Sequence, residues 1–264
     1  MGITNVLWAG WQLYVRLFAR SVALAALAFA VVYLPLLLAL PLFLAGGSSG
    51  VAALLGAVAL SVLLYFVGVL LLQGALSEAV REVHAQQNAS SAGQLLRAAL
   101  SRLGALVLVT LLAFGALVAG IIVVGVGAQV FGPLAILLVP VGFCLFLVWL
   151  TRWALVVPVV VVEDASPRLA LGRSTELVRG SGWKVFLALF LAGIAIAVAT
   201  VSMQFVLGMV LGPSLAEFAA AVLTAPYFSF VVAAMYFALA EPQAPIVPDE
   251  HTANWQSVLV DKTL

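Results

Sequence analysis

Residues 21–77 and 103–151 carry no charged side chain, and residues 185–240 carry Glu217 alone. Runs of this length exceed the roughly 20 apolar residues that cross a hydrocarbon core about 30 Å thick, so the chain is expected to pass through a bilayer several times. A sequence that is 66% hydrophobic and 8% charged has too little polar surface for a soluble fold, in which about 25% of residues are charged. The expected fold class is therefore all-α, a polytopic membrane protein. Six transmembrane helices are expected at residues 21–44, 51–72, 103–124, 134–155, 183–207 and 215–240, forming one membrane domain over residues 1–240. Residues 241–264 are polar and proline-rich and read as a disordered tail. The first apolar run is too long for a signal-peptide core of about 7–15 residues and reads as a permanent span.

Charge position sets the expected topology. All eleven Lys and Arg fall in the N-terminal segment, after the second and fourth spans, or in the tail, and the turns after the first, third and fifth spans have none. The positive-inside rule then places both termini in the cytoplasm. The net charge of +1 gives no reason to expect nucleic acid. Cys144 is the lone cysteine, so an intrachain disulfide and a cysteine metal site are excluded.

Three amphipathic helices are expected on the cytoplasmic face. Residues 3–20 set Asn5, Gln12, Arg16 and Arg20 along one side of a helix and Trp8, Trp11 and Leu17 elsewhere, a pattern suited to the headgroup plane. Glu78, Arg81, Glu82 and His84, followed by the polar residues 86–88, read as an aqueous loop. Ser91 with Gln94 reads as a capping box that opens the second helix. Ser166 and then Pro167 mark the start of the third, and Gly180 or Gly182 its end. Gly115, Ala116, Ala119 and Gly120 give the third span a small-residue surface for close helix contact. Uncharged turns are expected at residues 46–50, at residues 125–133, and at Gly208, Gly212 and Pro213. The pattern of helix, span, turn and span fits three helical-hairpin repeats or three ordinary hairpins.

Arg152, Arg168, Arg173, Arg179 and Lys184 make residues 152–184 the most basic part of the chain. Counted from residue 134 at 1.5 Å per residue, Arg152 falls about 27 Å along the fourth span, near the far edge of the hydrocarbon. Arg152 is thus expected to leave the membrane, with residues 156–162 along the interface or under the bundle and Pro158 as the bend. The candidate site comprises Arg152, Glu163, Arg173, Ser174, Glu176 and Arg179. Its arginines would donate to an anionic headgroup or a partner segment, with Glu163 fixing one of them. The plainer alternative is snorkelling and solvated charge. Arg152 and Glu163 lie three turns apart on a straight helix, so their direct pairing requires the Pro158 bend.

No catalytic residue, metal or cofactor is expected. His84 and His251, both read as loop residues, lack Cys or His neighbours at ligand spacing. Ser166 and Ser174 have no nearby His to activate them. The spans also lack an unambiguous buried charge, which weighs against ion-coupled transport.

The stretch Arg152-Trp153-Ala154-Leu155, Pro158, Glu163, then Ala170-Leu171-Gly172-Arg173-Ser174, Leu177, Gly180 and Trp183, resembles a hallmark of a family of six-span bacterial membrane proteins. That family includes the membrane region ahead of some glycerophosphoryl diester phosphodiesterases and the stand-alone YciC-like proteins. Trp11 to Tyr14 and the segment from Gly74 to Gly104 are similar to it as well. The resemblance implies a six-helix fold at the plasma membrane; this chain has no phosphodiesterase domain, so no enzymatic activity is implied. The expected function is that of a scaffold or accessory protein that contacts anionic phospholipid or another membrane protein. The alternatives are a transporter or channel for a small or lipidic solute, and a membrane subunit of a separate phospholipid-headgroup enzyme.

Overall fold

The computed structural model describes residues 2–86, 90–112, 115, 125 and 138–240, and among them there is no strand. In chain order the helices are α1 (Ile3–Arg16), α2 (Phe18–Leu44), α3 (Gly47–His84), α4 (Ala92–Ser101), α5 (Leu103–Leu112), α6 (Leu138–Trp153), α7 (Val156–Val162), α8 (Pro167–Val178), α9 (Gly182–Leu211) and α10 (Pro213–Ala240). Five stretches are long and apolar enough to cross a membrane: α2, α3, Cys144–Val162, α9 and α10. The pair α4 and α5, bent by 56°, makes a sixth if counted as one. The chain is all-helical, with the helices of a polytopic membrane protein. The expected tail at 241–264, most of the turn at 125–133, and Ala116, Ala119 and Gly120 of the small-residue surface lie outside the described residues.

The helices outrun the expected spans. α3 has 38 residues, about 57 Å at 1.5 Å per residue, and continues unbroken through the segment read as an aqueous loop. Glu78 and Glu82 are only 7% and 8% exposed. Their carboxylates find partners while α4, α7 and α10 pack around this part of α3, so the helix has no reason to stop. His84 is accordingly a helical residue, stacked on Phe237 at 4.4 Å between ring centroids. The last hairpin is tighter than expected too. Gly208 lies inside α9, and Gly212 (φ 80°) makes the turn, with Pro213 opening α10 where its missing N–H costs nothing.

The N-terminal segment bends rather than running straight into the first span. Leu17 departs from helical geometry while its N–H still bonds the Leu13 carbonyl at 2.9 Å. The bend lets α1 lie on α10, burying Val6, Ala9, Gly10 and Leu13. Tyr14 Oη donates to the Leu223 carbonyl at 2.9 Å, and Tyr227 Oη donates to the Leu7 carbonyl at 3.3 Å. Trp8 and Trp11 face outward.

α10 is the axis of the assembly. Phe230 through Phe237 are all buried, around the whole circumference of the helix, and α1, α2, α3, α7, α8 and α9 all contact it. The outer faces of the long helices are apolar and open: Leu38 is 68% and Val210 is 81% exposed. A continuous apolar exterior of this kind suits lipid and not water.

Candidate functional site

The turn between α6 and α8 is shaped by Pro158. Its ring excludes the carbonyl four residues earlier, at Ala154, and it has no N–H to offer. The helix therefore breaks at Ala154 and Leu155, ahead of the proline rather than at it. α7 then packs against α3, α8 and α10, with Val156 to Val161 buried. Glu163 ends α7. Asp164 takes a left-handed backbone (φ 53°), and Ser166 occupies the N-cap position of α8 with Pro167 behind it, although the Ser166 side chain makes no capping bond. Gly180 (φ 80°) reverses the chain after α8. The Ser91–Gln94 capping box that opens α4 forms in full.

The six candidate residues divide into two groups. Arg173 Nε donates to Glu163 Oε1 at 3.2 Å, and Tyr236 Oη donates to the same oxygen at 2.9 Å. Arg173 also reaches Glu176 at 3.6 Å. The hydrogen bond that Arg173 donates to Glu163 raises the pKa of its guanidinium above the ordinary value, so it stays charged. Ser174 is fully buried and its Oγ donates to the Arg152 carbonyl at 2.7 Å, which pins α8 to the end of α6. Glu163 thus fixes Arg173, and the bend does not bring Glu163 to Arg152. Removing the pin should cost about 1 kcal/mol: Ser174→Ala is expected to lower stability by this much in a denaturant titration in detergent, and Thr in its place should keep most of it.

Arg152 and Arg179 form the second group. Both are exposed, and neither has an acidic partner among the described residues. Both line a groove of about 510 Å³ between α6, the end of α8 and the start of α9. Its walls include Cys144, Leu147, Val148, Trp183 and Phe186. The hydroxyls that reach it are committed to their own helices, Thr151 to the Leu147 carbonyl at 2.7 Å and Thr175 to the Leu171 carbonyl at 2.9 Å. The groove is therefore an apolar slot whose charged hydrogen-bond donors are two guanidinium groups.

Sequence reasoning missed a cluster centred on Arg102. This residue sits at the bend between α4 and α5, where its Nε donates to Asp164 Oδ1 at 2.8 Å and its Nη1 to Glu78 Oε2 at 3.4 Å. Arg81 pairs with the other Glu78 oxygen, and the Ser90 N–H donates to Glu82 at 3.0 Å. Arg102 thereby ties α3 to the turn after α7. Only the Glu78 and Arg81 spacing along one helix was available as a signal.

No family model, curated protein or solved structure matches the chain.

Proposed function

We propose that this is a non-enzymatic, multi-pass protein of the bacterial plasma membrane, a scaffold or accessory protein whose cytoplasmic end contacts anionic phospholipid. The observation that carries this reading is the segregation of charge along the helical hairpins. The turns at Gly46 and Gly212 have no Lys or Arg, whereas Arg16, Arg20, Arg81, Arg102, Arg152, Arg179 and Lys184 sit at or near the opposite helix ends. Such an asymmetry supports cytoplasmic termini and attraction to anionic headgroups, worth about 1 kcal/mol per basic residue near the surface. The likeness of residues 152–183 to the six-span family supports the same placement. The filled apolar core around α10 supports this reading over a solute pathway among the hairpins.

Two measurements test it. In a Cys144→Ser background, Ser48→Cys should react with an impermeant thiol reagent from outside intact cells and Ser166→Cys only after lysis. Lipid that copurifies from mixed vesicles should be enriched at least about fivefold in anionic over zwitterionic species, falling as salt screens the contact. Equal enrichment at every salt concentration, or the reverse labelling pattern, would overturn the proposal.

A further inference from the structure

We infer that the groove between α6, α8 and α9 seats one anionic glycerophospholipid, its phosphate held by Arg152 and Arg179 and an acyl chain lying along α6 towards Cys144. This rests on the proposed contact with anionic lipid and assigns that contact to a defined site.

The charge balance around the groove points to an anion. Three arginines at this end of the molecule have acids beside them, Arg81 and Arg102 with Glu78, Arg102 with Asp164, and Arg173 with Glu163 and Glu176, whereas the two that line the groove have none among the described residues. Glu176, the acid nearest Arg179 along α8, is turned to Arg173. Arg152 and Arg179 come from different elements and line the same groove, the two elements joined by the Ser174 bond to the Arg152 carbonyl and the chain reversed at Gly180. Each guanidinium offers five donors in a planar fork, the geometry that matches phosphate oxygens.

The rest of the groove points to a lipid rather than a soluble anion. Cys144 lies eight positions before Arg152, which is about 12 Å along the helix axis at 1.5 Å per residue. Between them the wall is Leu147 and Val148, faced by Phe186 of α9, with both threonine hydroxyls already satisfied. A free phosphate would gain nothing from such a wall, whereas an acyl chain would. Trp183 also lines the groove and is 72% exposed, and an indole of this kind suits the headgroup level. The volume of about 510 Å³ is within the range of ligand pockets, about 300–1,000 Å³.

The test uses the full chain in mild detergent and native mass spectrometry with phosphatidylglycerol, phosphatidylcholine of the same acyl chains, and inorganic phosphate. The expected result is one retained phosphatidylglycerol, preferred about tenfold or more over phosphatidylcholine and not displaced by phosphate. Retention should fall about tenfold in the Arg152→Ala/Arg179→Ala variant, remain in Arg168→Ala, and fall only partly in Arg152→Lys/Arg179→Lys, which keeps the charge and loses the fork. Val148→Trp fills the groove from an exposed position and should abolish retention without touching either arginine. Unchanged retention in the double alanine variant or in Val148→Trp overturns the assignment, as does displacement by phosphate alone. A protein dimer that Val148→Trp dissociates would assign the groove to a second copy of the chain instead. If vesicles still show the anionic preference while these variants have no effect, the groove assignment falls and the broader reading stands. Loss of the preference itself removes both.

Discussion

Replacing Arg81 and Arg102 together by alanine is expected to lower the unfolding free energy by about 3–5 kcal/mol, the largest loss from any surface-charge change in this protein. Glu78 is nearly enclosed, and these arginines are its cationic partners among the described residues. Removing both leaves a carboxylate in a site that water scarcely reaches. Either single substitution leaves one partner in place and should cost less than half as much. The comparison that separates a buried charge from lost packing is Glu78→Leu added to the double variant. Apolar replacement of a whole buried ion cluster is often neutral, so the triple variant should regain most of the lost stability. Denaturant titration in detergent measures all of these. A loss below about 1 kcal/mol in the double variant would show that Glu78 is solvated, contrary to its burial on α3 beside the α4–α5 bend.

Gly10→Leu is the second large expectation, a loss of about 3 kcal/mol. A Cβ at this position would stand 2.7 Å from Val231 Cγ2 and 3.3 Å from the Val231 Cα, so part of the obstacle is backbone. α1 would have to lift from α10, taking with it the Tyr14 and Tyr227 hydrogen bonds that reach across the contact. Gly172→Ala is the natural control, because a Cβ there meets nothing within 4 Å and alanine is the better helix former by about 0.5–1 kcal/mol. Thermal unfolding should move in opposite directions for the two. If Gly10→Leu unfolds at the wild-type temperature, α1 does not rest on α10.

Features that depend on neighbours in sequence could be read from the chain. The Ser91–Gln94 box needs residues three apart, and it forms. The bend ahead of Pro158 and the stop at Gly180 follow from what those residues do to their own backbone. The apolar runs gave the long helices because crossing a bilayer depends on length and composition. The errors arose where contacts between distant residues decide. Residues 78–84 look like a solvated loop until Arg102, 24 positions on from Glu78, arrives to donate to both Glu78 and Asp164. Tyr236 was an unremarked aromatic in the sixth span, yet it holds Glu163 and so helps to keep Glu163 on Arg173. Of the six candidate residues, the four that turned out to be mutually bonded or structural could be separated from Arg152 and Arg179 only by tracing who touches whom.

The central position of α10 bears on how the protein is made. Every other described helix leaves the ribosome before α10, yet α1, α2, α3 and α9 each use it as a wall. The seat for α1 is therefore completed by a segment more than 200 positions later, as the Tyr14 bond to Leu223 illustrates. Until that segment arrives, the side of α1 that rests on α10 has no permanent cover. Assembly of the layer around α10 must wait until α10 itself has been made, and the nascent chain has to be sheltered by the insertion machinery or by lipid for that whole interval.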